Sequence, residues 1–196
     1  MSGKPLTKKI VSGRFKGKTL RLPSLETTRS SKGIVLESFF NTLQFEIVDA
    51  VFVELFSGSG SIGLEALSRG AKRVLFMEMD RAAQKVLREN ISQTDPSACE
   101  VYGGDSFELI GRVVERLEAL DESAYFYIDP PFSIREGKEA IYDKTMKLIA
   151  SLPPERVRLI IIEHMTGLEL PERLGTFEKG KSKKFGKTSL TYYAPL

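Results

Sequence analysis

One cysteine and one histidine in 196 residues set the first limits on this chain. Cys99 alone forms no internal disulfide and no cysteine metal cluster. His164 alone removes most zinc hydrolases and histidine-dependent triads. No apolar run approaches the roughly 20 residues needed to span a membrane. The opening Met1-Ser2-Gly3-Lys4-Pro5 lacks the apolar stretch of a secretory signal. No internal repeat or low-complexity segment appears. What is left is a globular chain of ordinary domain size, long enough to bury a core. The expectation is a cytoplasmic monomer with no metal and no membrane contact.

Acids are missing where bases collect. Residues 1–32 hold nine lysines and arginines against Glu26 alone, a net charge of +8. Residues 179–196 hold five lysines and no acid, a net of +5. The whole chain totals +3, so residues 33–178 carry −10. An acidic body with two basic ends fits contact with a polyanion through those ends. Solvated tails of the same charge give the same pattern.

Hydrophobic periodicity divides the chain. Lys9 to Leu22 alternates loosely, with glycines at 13 and 17, and reads as a basic β-hairpin. From Ser31 a helix is expected, with Val35, Leu36, Phe39, Phe40 and Leu43 on one face. Strands and helices then alternate: strand 51–56, helix 62–69, strand 73–78, a helix opened by Asp80, strand 100–102, a helix from Ser106, strand 124–128, a helix carrying Ile141, Thr145, Leu148 and Leu152, and strand 157–163. Thr176–Lys179 and Thr188–Tyr193 read as a closing antiparallel hairpin, with a basic loop between them. Such alternation means an α/β fold, a mostly parallel sheet with helices on both faces. Five βα steps and a terminal hairpin resemble the layout of the Rossmann-like, seven-stranded class I methyltransferase fold. The expected division is a basic hairpin-and-helix extension over 1–45 and a catalytic domain over 46–196.

Glu54-Leu55-Phe56-Ser57-Gly58-Ser59-Gly60-Ser61-Ile62-Gly63 joins the first core strand to its helix. It contains G-x-G-x-x-G, whose glycines permit a tight turn and close approach of a ligand to the backbone. The motif alone does not separate a dinucleotide from S-adenosylmethionine. The following helix aims N–H groups at the loop, which favours a pyrophosphate or the methionine carboxylate alike. Glu78 ends the second strand 20 positions after Gly58, where a carboxylate accepts hydrogen bonds from ribose hydroxyls. Asp105 follows the third strand and suits an adenine amino group or a helix cap. The cofactor-binding candidates are Glu54, Phe56, Ser57, Gly58, Ser59, Gly60, Glu78, Met79, Asp105 and Ser106.

Asp129-Pro130-Pro131-Phe132 follows the apolar run 124–128 and so stands past the carboxyl end of a strand, the edge at which open α/β sheets bind ligands. Two prolines fix φ and remove two N–H donors. The resulting lip offers acceptors, the Asp129 carboxylate and backbone carbonyls, beside an aromatic ring. Those acceptors suit the hydrogens of an exocyclic base amine, a weak nucleophile that needs orienting. Asp129 is also placed to take the proton released from nitrogen. Stacking of the base on Phe132 is worth about 1–3 kcal/mol. These four residues are the catalytic candidates.

The chain resembles the RsmD family, bacterial methyltransferases that modify the exocyclic N2 of a guanine in 16S small-subunit ribosomal RNA. The likeness rests on Ile10-Val11-Ser12-Gly13-Arg14-Phe15-Lys16-Gly17, Leu55-Phe56-Ser57-Gly58-Ser59-Gly60, Gly63 to Ala71, Glu78-Met79-Asp80-Arg81, Asp129 to Phe132 and Phe185 to Tyr193. The resemblance implies that Gly58, Gly60, Glu78 and Asp105 hold S-adenosylmethionine and that Asp129 to Phe132 hold the guanine. It implies 16S rRNA or the assembling 30S subunit as partner. Arg14, Lys16, Lys18, Arg29, Lys183 and Lys184 are then the RNA-binding candidates. The chain departs from the family at Arg29-Ser30-Ser31, where Arg-Pro-Thr is usual, and at Leu36, where an arginine precedes the glutamate.

Three other readings share parts of this pattern. Amino methylation of adenine in DNA uses a similar lip, although no insertion here looks like a sequence-reading domain. A nicotinamide-dependent oxidoreductase rests on the glycine loop alone. A non-catalytic RNA-binding module rests on the basic ends alone.

Overall fold

Short runs of valine, phenylalanine, isoleucine and leucine become strands because each can be buried on both faces, as parallel sheets require. The computed structural model describes residues 6–23, 33–131 and 139–196. It separates into two units, Met1–Asp105 and Ser106–Leu196.

The first unit begins with β1 (Thr7–Lys9) and β2 (Thr19–Arg21), paired antiparallel with Thr7 opposite Arg21. Helix α1 (Gly33–Thr42) buries Val35, Leu36, Phe39 and Phe40. Then come β3 (Val51–Leu55), α2 (Ser61–Ser68), β4 (Arg73–Glu78), α3 (Arg81–Ser92) and β5 (Cys99–Gly103). The three later strands run parallel in the order β5-β4-β3. Phe39 of α1 lies 6.2 Å from Phe52 of β3, ring to ring, and so joins the helix to the sheet's core. Asp80 caps α3 as expected, its carboxylate accepting the Ala83 N–H at 2.7 Å. That contact satisfies one of the donors a helix start leaves open.

The second unit holds α4 (Ser106–Leu120), β6 (Ala124–Ile128), α5 (Glu139–Ala150), β7 (Val157–Met165), β8 (Arg173–Leu174), β9 (Phe177–Phe185) and β10 (Thr188–Pro195). β6 and β7 are parallel, and β10, β9 and β8 follow antiparallel. The α/β reading with a closing antiparallel hairpin therefore holds. Two details differ from the sequence pattern. The two-residue β8 is too short to carry a period. The basic segment expected as a loop is strand: β9 runs on to Phe185, and the turn sits at Gly186, φ 65°. Pairing with β10 overrides the poor strand propensity of its lysines, with Lys184 opposite Ser189 and Lys183 opposite Leu190.

His164 is structural. Burial lowers its pKa, which keeps the ring neutral. Its Nδ1–H donates to the Met165 carbonyl at 3.0 Å, so Nε2 accepts from the Thr191 hydroxyl at 2.8 Å. The Ser182 hydroxyl then donates to Thr191, joining β7, β10 and β9 in one chain of hydrogen bonds.

The N-terminal hairpin is seated on α2. Val11 and Ser12 donate their N–H groups to the buried Glu65 carboxylate at 2.8 and 3.1 Å. Arg14 and Phe15 donate to the Ser68 carbonyl and hydroxyl at 2.8 and 2.9 Å. Gly13 lies at this seat with φ 83°, and a Cβ there would stand 1.8 Å from the Ser68 carbonyl oxygen. Gly17, φ 85°, faces nothing within 4 Å. Gly17→Ala should therefore cost only the left-handed strain, about 1 kcal/mol. Gly13→Ala should exceed it by at least about 2 kcal/mol through the collision. Urea denaturation of both variants measures the difference, and equal losses would mean that the hairpin is not seated this way.

Candidate active site

The chain leaves β3 through a left-handed turn, with φ of 56° at Phe56, 53° at Gly58 and 74° at Gly60. A non-glycine residue pays a steric cost in that region, so the surroundings must hold Phe56 there. Ser57 does much of the holding. Its N–H donates to the Met77 carbonyl at 2.9 Å, and its buried hydroxyl donates to the Glu54 carbonyl at 2.7 Å while accepting the Met77 N–H at 3.0 Å. The turn is thus bolted to β3 and β4 together.

Glu78, at the end of β4, reaches back to the same turn. One carboxylate oxygen accepts the Gly58 N–H at 2.7 Å and the other accepts the Asp80 N–H at 2.7 Å. The two glycines then differ in purpose. A Cβ on Gly60 would lie 2.3 Å from the Leu87 side chain, so that glycine serves packing. A Cβ on Gly58 would meet nothing within 4 Å, so the turn opens to free space beside a carboxylate. An adenosyl group fits these residues: open backbone at Gly58, and further acceptor capacity on Glu78 for ribose hydroxyls.

Strand register collects the remaining candidates of this unit. Leu55 pairs with Met77, and Glu78 with Gly103, so β3, β4 and β5 end side by side. The Gly104 N–H donates to the Glu78 carbonyl at 3.0 Å, which brings the half-buried Asp105 to the same edge. Met79 projects there, 67 % exposed. The carbonyl of buried Ser59 accepts from Asn90 on α3 at 2.9 Å. Ser106, buried, opens α4 in the second unit.

Glu54 lies beneath the turn, 4 % exposed. It accepts the Gly63 N–H at 2.8 Å and is also bonded by the Ile62 amide, so it takes up donors at the start of α2. Burial pushes its pKa up to about 8, opposed by these amides and the Lys8 charge. The side chain is therefore protonated at neutral pH. Cys99, half-buried, has its thiol pushed up to about 12 by burial, which leaves no thiolate for nucleophilic work.

Asn90 is the residue that the sequence reading missed. It is fully buried and holds both backbone groups of Arg21: the Arg21 N–H donates to its Oδ1 at 2.8 Å, and its Nδ2 donates to the Arg21 carbonyl at 2.9 Å. One side chain thus ties the glycine turn to the N-terminal hairpin. The signal available was a polar residue on the inward face of α3, between Leu87 and Ile91.

In the second unit, β6 is buried throughout and Asp129 stands immediately past its end, half-buried. Pro130 is buried and Pro131 exposed, so the lip is anchored at one proline and open at the next. Phe132 and Arg29 lie outside the described residues. Of the RNA-binding candidates, Arg14 pairs with Asp95 at 3.1 Å and Lys18 donates to the Gln93 carbonyl, both cations lying over the Phe15 ring. Lys16 and Lys184 are exposed, and Lys183 is half-buried on β9.

The sequence profile described as Conserved hypothetical protein 95 matches residues 8–194. The chain belongs to that family. It is the RsmD family whose motifs the sequence carries. "Ribosomal RNA small subunit methyltransferase D" of Haemophilus influenzae is 30% identical over 135 residues, 68% of each chain. A Bacillus subtilis (strain 168) protein named "Putative rRNA methyltransferase YlbH" is 27% identical over 190 residues, 94% of this chain and 97% of that one. Among solved structures, "Putative methyltransferase yhhF" from Escherichia coli superposes with a TM-score of 0.74 at 28% identity, covering 96% of this chain and 98% of that one. The fold is that of class I methyltransferases.

The neutral Glu54 gives stability a distinct pH dependence. Its folded pKa of about 8 lies above the ordinary 4.5, so its contribution is complete below pH 4.5 and is lost as pH rises through about 8. Glu54→Gln keeps an acceptor for the Gly63 amide and cannot ionise. Urea denaturation across this window should show wild-type stability declining with pH, and the variant declining less. Parallel pH profiles would place the titration elsewhere.

Proposed function

We propose that this protein transfers the methyl group of S-adenosylmethionine to the exocyclic N2 of a guanine in 16S rRNA. Methyl transfer to ribosomal RNA is the activity named for its relatives, and the family covers nearly all of this chain. S-adenosylmethionine supplies a methyl already activated on a sulfonium. The protein's work is to bind, orient and take a proton.

The observation that carries this reading is the position of Asp129-Pro130-Pro131 directly past buried β6, at the strand edge used by ligand sites of such sheets. Asp129 and the backbone carbonyls of the lip accept hydrogen bonds from the guanine amine and turn its lone pair outward. The Asp129 carboxylate receives the proton that the nitrogen loses. Phe132 stacks on the extruded base. Glu78 accepts from the ribose hydroxyls, Asp105 from the adenine amine, and the backbone at Gly58 and Gly60 closes around the ligand.

The basic ends grip phosphate. Residues 1–45 act as an RNA-holding extension on the catalytic domain of 46–196, through Arg14, Lys16, Lys18 and Arg29, with Lys183 and Lys184 at the other end. The substrate is 16S rRNA or the assembling 30S subunit, and the enzyme works as a cytoplasmic monomer.

Incubation with labelled cofactor and unmodified 30S particles should place label on guanine N2 of 16S rRNA. Asp129→Asn should lower kcat by roughly 10²–10⁴-fold, the range for removing a positioned proton acceptor. S-adenosylhomocysteine should bind that variant as it binds wild type. Label on adenine of duplex DNA, or full activity of the variant, would overturn the assignment.

A further inference from the structure

The outer face of α3 carries a row of cations that the cofactor site does not use. Arg81, Lys85 and Arg88 fall at i, i+4 and i+7, which places them on one helical stripe. All three are exposed, and with Gln84, Glu89 and Ser92 they line a shallow open groove. Among the described residues no carboxylate pairs with any of them. The one acid on this face, Glu89, is held by Arg21 of the hairpin at 2.6 Å.

Two features set this row apart from an ordinary solvated face. Such faces usually interleave acids with bases at helical spacing. Here the single interleaved acid is neutralised from outside the helix. Arg81 also occupies the first turn of α3, where the helix dipole disfavours a cation. A bound anion relieves that cost.

The hairpin extends the row in the same direction. Arg21 sits at Glu89, Lys18 at the Gln93 carbonyl and Arg14 at Asp95, which follows the end of α3. At about 1.5 Å per residue, Arg81 to Arg88 spans roughly 10 Å along the axis.

We propose that the outer face of α3, with Arg81, Lys85 and Arg88, is a phosphate-binding ridge that continues the hairpin's RNA contact along the enzyme. The ridge reads charge and spacing, not base identity, and it holds the RNA backbone flanking the target nucleotide. Asn90, on the inner face of the same helix, fixes the ridge relative to both the hairpin and the glycine turn. The inference rests on the proposed RNA substrate.

The test uses the full-length chain, the triple variant R81Q/K85Q/R88Q and the single variant Arg88→Glu. Protein-free 16S rRNA is the binding probe, titrated at several salt concentrations. Each phosphate released from contact removes about 0.7 from the slope of log K against log salt for single strands, so the triple variant should lose about two. Its KM for RNA should rise at least tenfold, with kcat at saturating RNA within twofold of wild type. Arg88→Glu should shift KM in the same direction. Calorimetry with S-adenosylhomocysteine, unchanged in both variants, shows that each is folded. Wild-type methylation with the same slope and KM in the triple variant overturns the ridge alone. RNA binding by wild type with methylation of neither 16S rRNA nor 30S particles, and with the slope still reduced in the variant, overturns the proposed function and keeps the ridge. A wild-type protein that binds no RNA overturns both.

Discussion

The hydrogen bond from the Gly58 amide to the Glu78 carboxylate is the constraint on which the candidate cofactor site depends. It joins the left-handed turn after β3 to the end of β4, and so fixes where open backbone meets an acceptor. The left-handed torsion at Phe56 is costly, and Gly58 and Gly60 give up much conformational freedom when fixed, so an isolated peptide of this sequence would not keep the turn. The turn persists because each of its residues is held from a different side. Ser57 is held by β4, Ser59 by Asn90 of α3, and the helix start by the protonated Glu54 below. Rigidity of this kind is what a binding site needs, since a ligand then meets groups that are already in place.

The same economy of contacts explains the N-terminal hairpin. Its strands are three residues each and bury little of their own, since a lone two-stranded hairpin is marginal in water. Its backbone donors find Glu65 and Ser68 on α2, and Arg21 finds Asn90 on α3. Buried Glu65 receives Val11, Ser12 and the Arg69 guanidinium together, a full set of partners for a charge that would be costly to bury unpaired. The basic segment is therefore positioned by buried polar bonds, while its surface ion pairs with Glu89 and Asp95 contribute at most about 1 kcal/mol each. Those pairs are weak enough for a polyanion to replace.

Much of this was legible in the sequence. The runs 51–56 and 124–128 announced strands, which the structure ends at Leu55 and Ile128, and Asp80 announced its helix cap. These signals are local, and local chemistry decides them. What escaped depends on partners far along the chain. Asn90 looks like a modest helix residue until Arg21 and Ser59 are beside it. The lysines of β9 look like a loop because their strand partner, β10, supplies the pairing that their own propensity does not. Glu65 gave no hint that it would seat a segment more than fifty positions earlier. Local motifs were therefore easier to read than the distant contacts that support them.

The cofactor assignment is tested most directly by ligand binding at Glu78. Titration calorimetry with S-adenosylhomocysteine should show wild type binding, with no heat from NAD at the same concentrations. Glu78→Gln should weaken that affinity by roughly ten- to a hundredfold, the loss expected when hydrogen bonds to a charged acceptor are removed. Equal affinity in the variant and wild type, or binding of NAD in place of S-adenosylhomocysteine, would contradict the central claim.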